Sequence, residues 1–330
     1  QHYSFDIKLS KWLQNNEIMV DRRRWIERVG LSGAALAAAP FHIMESDQSE
    51  PISERVWRIA HVTDPHLHDG EDSAAWTRSC LRVIHSMNDQ PDVIFNGGDT
   101  INDALRQEEE SVLRQWAIWN AIRDEEISLP LVHCIGNHDV WGLPEASNDP
   151  RYAKTWAVEE LGLSNRYYDF EQNGWHFIVL DSTQPREDGG WYIARLDEEQ
   201  FQWLESRLNE IDNSHPIFIF SHIPVVCAAA FFDGQNEETG NWVIPGQWVH
   251  IDARRIVELF HQHENVKVCI SGHIHLLDKV VYNDVTYYCD GAVSGNWWGG
   301  NYHQTPPGFA LINLYEDGTF DRKYVAYGWK

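Results

Sequence analysis

Five short clusters along the chain carry side chains that grip cations: Asp64-Pro65-His66, Gly97-Gly98-Asp99, Gly136-Asn137-His138-Asp139, Ser221-His222 and Gly272-His273-Ile274-His275. Together they offer carboxylate, amide and imidazole donors, a set that suits Mn²⁺, Fe²⁺/Fe³⁺, Zn²⁺ or Co²⁺ and needs no thiolate. In Asp64-x-His66 and His273-x-His275 the i, i+2 spacing throws both side chains to one side of an extended strand end. The glycines before Asp99 allow a sharp turn and leave room for whatever the carboxylate holds. Any single cluster also reads as an ordinary turn. Their shared position after apolar runs is what groups them.

The elements that must deliver these clusters alternate. Strands over residues 56–62, 92–96 and 131–135 are separated by helical patterns over 73–88 and 105–123, a βαβαβ rhythm that implies a parallel sheet with helices on its faces. A short helix near 153–160 precedes a hairpin of 166–170 and 175–181 turning at Asn173-Gly174. Residues 196–211 have the spacing of an amphipathic helix. A buried strand at 217–220 leads to Ser221-His222, and loop-rich sequence fills 223–247. A helix over 252–263 begins with Asp252 as its cap, and a strand at 266–270 runs into Gly272-His273. Residues 279–282, Val285–Cys289, 309–315 and 320–327 read as antiparallel strands.

The 330 residues are 43% hydrophobic, enough for one large core or two modest ones. Fifty acidic residues against 26 basic give a formal charge of −24, which argues against a nucleic-acid or anionic-membrane surface. An anionic substrate stays open, because bound divalent metals dominate their local field. Cys80, Cys134, Cys227, Cys269 and Cys289 are scattered without CxxC spacing, so no disulfide scaffold is expected.

Residues 1–50 form an N-terminal extension ahead of a single domain over 51–330. Met19 reads as a candidate start. Basic residues from Arg22 to Arg28 precede a weakly apolar Gly/Ala-rich stretch ending near Ala39, the parts of an export signal. The order Arg-Arg-x-Trp-Ile resembles the twin-arginine motif, with Trp-Ile where Phe-Leu is usual, so 21–39 is assigned to twin-arginine export. The implied partner is the twin-arginine translocase and the location periplasmic or extracellular. The plainer alternative is an amphipathic helix on a cytoplasmic protein. No segment approaches the ~20 apolar residues of a membrane span.

The order Asp-x-His, Gly-Gly-Asp, Gly-Asn-His-Asp, His, Gly-His-x-His resembles the calcineurin-like metallophosphoesterase family over about residues 58–275. The resemblance implies an α/β fold, a ββ-sandwich flanked by helices in four αββα layers, with the metal site at strand C-terminal ends. It implies two metal ions, one held by Asp64, His66, Asp99 and His275, the other by Asp99, Asn137, His222 and His273, with Asp99 bridging. Such a pair polarises a phosphoryl group and activates water for in-line attack. His138 is then the candidate transition-state stabiliser and proton donor, with Asp139 as its orienting group and Asn137 and His138 touching substrate. Asn102 stands where the protein-phosphatase branch carries Asp, with Asp103 one place later. That sets the chain nearer the bacterial cyclic-nucleotide and glycerophosphodiester phosphodiesterases.

The implied activity is hydrolysis of a small phosphate ester or nucleotide, a phosphodiester first. A phosphomonoesterase and a non-catalytic extracytoplasmic metal-binding protein are the alternatives. Trp297 and Trp298, in the aromatic-dense loop 294–303, are candidate substrate contacts, and residues 227–243 a candidate second wall. These tryptophans, with Trp242 and Trp248, either stack a base or pack the sandwich edge. His61 reads as a core histidine, and His68 is near enough to line the site.

Overall fold

The computed structural model describes residues 43–46, 53–186, 188, 191–233 and 240–329, so the signal read at 21–39 lies outside the described residues. In chain order the elements are β1 (Ile43–Ser46), β2 (Arg55–Val62), α1 (Glu71–His85), β3 (Val93–Asn96), α2 (Glu109–Glu126), β4 (Leu131–His133) and α3 (Thr155–Glu160). There follow β5 (Tyr168–Gln172), β6 (Trp175–Leu180), β7 (Thr183–Gln184), β8 (Ile193–Ala194), α4 (Glu198–Glu210) and β9 (Ile217–Ser221). The chain closes with α5 (Ala253–Phe260), β10 (Val266–Ser271), β11 (Asp278–Tyr282), β12 (Val285–Cys289), β13 (Gly308–Tyr315) and β14 (Phe320–Ala326).

Two six-stranded sheets result, in the orders β1-β14-β13-β2-β3-β4 and β11-β12-β10-β9-β6-β5. β2, β3 and β4 run parallel, as do β6, β9, β10 and β12. Strands covered on both faces need apolar residues at successive positions rather than alternate ones. Accordingly Ile59, Phe95, Phe177, Phe218 and Ile270 fill the space between the sheets. Their neighbours Ala60 and Ile94 point the other way, against Cys80, Ile84 and Trp116 of α1 and α2. On the far side Ile178 and Ile219 meet Phe201 and Leu204 of α4 and Ile256 and Phe260 of α5. The layers are therefore helix, sheet, sheet, helix, the architecture expected.

Several boundaries differ from the sequence reading for local reasons. α2 starts at Glu109 rather than 105, because Asp103 ties up the preceding turn: Leu105 N donates to its Oδ1 at 2.9 Å and Gln107 Nε2 to its Oδ2 at 3.0 Å. Asp252 precedes α5 but makes no side-chain cap; its carboxylate instead accepts from Leu196 N at 2.9 Å. β1, ahead of the boundary read at residue 51, adds an antiparallel edge to β14. The strand β12 is antiparallel to β11 but parallel to β10. The hairpin of β5 and β6 turns through Asn173 and Gly174, both left-handed (φ 52° and 79°), as a tight primed turn requires. The five cysteines are all buried and free.

Candidate metal centre

All five clusters lie at the C-terminal ends of β2, β3, β4, β9 and β10, so the parallel strands of both sheets point their ends at one crevice. Backbone bonds lock the turns together: Asp64 N donates to Gly98 O at 3.1 Å, His66 N to Asp99 O at 3.0 Å and Gly272 N to His222 O at 3.0 Å. Close approach is what the glycines provide. A Cβ on Gly136 would stand 2.1 Å from Asp99 N and 2.2 Å from Asp99 Oδ1.

Two triads form there, Asp64 with His66 and His275, and Asp99 with His222 and His273, all buried but the half-buried His273; in each, one ligand atom per residue lies within 4.8 Å of the others. One carboxylate oxygen stands between them. Asp99 Oδ2 lies 3.2 Å from His222 Nε2 and 3.8 Å from His66 Nε2. Asn137 Oδ1 joins the second group at 3.1 Å from His222 Nε2.

Three imidazoles are held in a fixed tautomer by backbone carbonyls. His222 Nδ1 donates to Gly97 O (2.8 Å), His275 Nδ1 to Gly295 O (2.6 Å) and His273 Nε2 to Gln247 O (3.0 Å). In each ring the other nitrogen is thereby turned inward, free to meet a cation once it sheds any proton, as in metal-binding histidines. The His66 and His275 Nε2 atoms face each other at 3.2 Å, and Asp64 Oδ1 and His66 Nδ1 are buried without a hydrogen-bond partner among the described residues. Inward-facing imidazole nitrogens beside an orphaned buried carboxylate oxygen fit a cation between them. The residues present therefore suit a pair of metal ions.

Strain marks the same residues. Asp64, His66, Asp99, His273 and His275 all adopt left-handed backbone (φ 53°, 42°, 49°, 72° and 59°), a conformation that non-glycine residues rarely take. Such outliers collect at functional sites, where surrounding structure holds them.

Electrostatics follow from burial and crowding. Burial alone would lower His222, but the Asp99 carboxylate outweighs it and raises the ring to about 9. His273, buried and beside His222, falls to about 3. Burial pushes the carboxylate of Asp99 up, yet the surrounding imidazoles hold it well below its ordinary range. His138 is raised because Asp99 and Asp103 together outweigh its burial.

His138 sits at the edge of the centre, its backbone N donating to Asp99 Oδ1 at 2.8 Å. The structure corrects the partner expected for its ring. Asp139 is fully buried and accepts from Gly136 N (2.9 Å) and Ile101 N (3.2 Å), so its carboxylate braces the turn and does not reach the imidazole. The facing group is Asp103, whose Oδ1 lies 3.6 Å from His138 Nδ1. Burial beside Asp99 pushes Asp139 up to about 7.

A cleft of about 200 Å³ opens over the centre, lined by Asp99, His138, Tyr192, Trp248, Trp297 and Tyr302 among others. Trp297 stacks on the His66 ring (3.8 Å between centroids, 30° between planes) and meets His138 edge-on. Trp298 does not line the cleft: its Nε1 donates to His66 O at 3.1 Å and its ring packs on the helix-side core, which corrects its assignment as a substrate contact. Asn137 is fully buried with its oxygen turned to His222, so it does not present itself to substrate directly. His68 turns away, its Nδ1 accepting from Gly70 N at 2.9 Å, and His61 is a core residue paired with Asp290 at 2.7 Å. Trp242 packs edge-on against Phe231, whereas Trp248 reaches the cleft. Tyr192, Asp233 and Tyr302 line the cleft too, and Tyr302 Oη donates to Asp233. They come from loop sequence without periodicity, where only the aromatic density around Trp297 gave a signal.

Comparison with known proteins agrees with this geometry. The family model described as calcineurin-like phosphoesterase matches residues 58–277. A 3′,5′-cyclic-nucleotide phosphodiesterase from Nostoc is 23% identical over 276 residues, covering 80% of this chain and 90% of its own. A serine/threonine-protein phosphatase from Pongo abelii is 25% identical over 211 residues, 62% of this chain and 60% of that protein. Among solved structures, a dimetal phosphatase from Danio rerio superposes with a TM-score of 0.61 at 17% identity, covering 83% of this chain and 97% of its own, and so shares the fold.

Proposed function

Because the chain belongs to the calcineurin-like phosphoesterase family, we propose that it hydrolyses phosphodiesters at a centre of two metal ions. The observation that carries this is the pair of triads meeting at one oxygen of Asp99. In this reading Asp64, His66, Asp99 and His275 hold one ion, and Asp99, Asn137, His222 and His273 the other. Mn, Fe, Zn and Co all suit these donors. The ions, when bound, supply Lewis acidity toward the phosphoryl oxygens and an activated water.

The chain's own residues supply the rest. His138, raised in pKa and flanked by Asp103, holds a proton beside the cleft and donates it to the departing oxygen. Trp297 walls the cleft and fixes the plane of His66.

A diester is favoured over a monoester on charge. Among the described residues that line the cleft there is no arginine or lysine, and Asp233 adds a carboxylate. A doubly charged monoester meets no arginine or lysine there, only the proton-bearing His138, while a singly charged diester has less charge to neutralise. The Nostoc phosphodiesterase, matched over nearly its whole length, supports the same choice. The phosphatase relative keeps a monoester as the second reading.

The proposal includes export through the twin-arginine pattern at 21–39. Among the described residues no helix is long and apolar enough to cross a membrane.

The deciding experiment assays phosphomonoesters, acyclic phosphodiesters and cyclic nucleotides after reconstitution with Mn, Zn or Fe. Metal-dependent turnover of diesters, abolished in a folded Asp99→Asn variant, is the expected result. Two bound ions with no turnover on the whole panel would overturn it in favour of a binding protein.

A further inference from the structure

The cleft above the centre, at about 200 Å³, falls short of the roughly 300 Å³ at which ligand pockets usually begin. A second cavity of about 590 Å³ shares Tyr192 with it. This cavity lies on the His138 flank. Leu105, whose N donates to Asp103 Oδ1, and Val140, two residues beyond His138, both line it.

Its lining is mostly apolar and aromatic; of its polar members Gln184 accepts from Lys154 at 3.2 Å and Arg186 is paired with Asp188, and three others bear on a ligand. Thr183 is buried, and its Oγ1 has no hydrogen-bond partner among the described residues. The Arg106 guanidinium lies 4.3 Å from the centroid of the Trp191 ring, and among the described residues no carboxylate pairs with it. Lys154 also lines the cavity but is committed, at 2.5 Å, to the buried Asp181. In a chain of net charge −24, an arginine left over for a ligand at this position is a local exception.

We propose that this cavity receives the leaving group of the ester, and that it selects an aromatic group carrying an anionic substituent. The apolar walls take the ring, Arg106 faces the negative charge, and the Thr183 hydroxyl meets a polar edge. The inference rests on the hydrolytic reading given above. As water's oxygen bonds to phosphorus, the bond from phosphorus to the aromatic oxygen breaks and that oxygen takes the His138 proton. One proton of the attacking water restores His138, and the other stays on the monoester product.

The test compares the 4-carboxyphenyl, phenyl and ethyl esters of methyl phosphate, with kcat/KM measured on the metal-loaded protein. Arg106→Gln lowers the preference for 4-carboxyphenyl over phenyl about fivefold, the scale of an exposed charge pair. Trp191→Ala lowers the preference for either aryl ester over ethyl about tenfold. Both side chains are exposed enough for the variants to fold. Unchanged preferences in both variants, with turnover intact, overturn the cavity's role and leave hydrolysis standing. Calorimetry with 4-hydroxybenzoate, the alcohol released, gives an arm independent of turnover. Binding that Arg106→Gln weakens, with no ester hydrolysed, upholds the cavity's preference and overturns the hydrolytic reading instead.

Discussion

Asp103 Oδ1 stands 3.6 Å from His138 Nδ1, so the carboxylate facing the imidazole beside the candidate metal centre comes from a residue 35 positions earlier in the chain. The same carboxylate accepts from Leu105 N and Gln107 Nε2, which anchors it independently of the histidine. Asp103→Asn is therefore expected to lower kcat about tenfold, within the range of a disturbed general acid, with KM and metal content near those of the parent. His138→Ala should lower turnover further while two ions remain bound. Steady-state kinetics with metal analysis checks both; loss of metal in either variant would mean that the ring is a ligand.

Gly136→Ala should damage the centre without replacing a ligand. Its Cβ would meet the backbone N of Asp99 at 2.1 Å, and backbone cannot swing aside as a side-chain tip can. Overpacking of this kind costs about 1–3 kcal/mol or more. The expected outcome is a lower denaturation midpoint and fewer than two metal ions per chain. Metal stoichiometry measured beside a thermal melt tests it.

His133 gives a pH-dependent contribution to stability. Burial, with help from Arg123, depresses it from an ordinary 6.5 to about 4, and its Nδ1 accepts from Asn96 Nδ2 at 3.1 Å. A histidine depressed on folding binds its proton more readily when unfolded. Its contribution is therefore complete above about pH 6.5 and is lost as pH falls toward 4. Between pH 7 and 5 the parent should lose about 2 kcal/mol more than His133→Gln. Urea midpoints of both proteins at the two pH values read the difference.

The proposed export has a direct chemical signature. Protein recovered from outside the cytoplasm should begin downstream of Ala37, and replacing Arg22 and Arg23 by Lys should keep it inside. N-terminal sequencing of fractionated cells measures this, and an uncleaved exported chain would count against the assignment.

The candidate ligand clusters are legible because the information is local: an apolar run, a turn, and a donor type. The strands β2, β3, β4, β9 and β10 then bring those ends together by parallel pairing, which the βαβ rhythm also announces. What could not be read was the aim of side chains within left-handed turns. Trp297 and Trp298 are adjacent with φ of 50° and 64°, and that backbone sends one indole onto the face of His66 and the other to its carbonyl. Asp139 looks like the neighbour of His138, yet the turn points it at Gly136 N and Ile101 N. The start of α2 was misread because Asp103 offers its own turn to the backbone in competition with the helix. Tyr192 and Trp191 sit in sequence with no periodic pattern, so nothing placed them beside a cavity.

The left-handed backbone of Asp64, His66, Asp99, His273 and His275 sets two goals for this chain against each other. Glycine would relax each of those five positions, at a gain on the order of 1 kcal/mol apiece. Directed selection for heat resistance alone would thus be drawn toward erasing the side chains proposed to grasp the cations. A hardened variant of this scaffold has to gain its toughness elsewhere, in the outer helices and the sheet edges, while its most contorted corner is kept as it is.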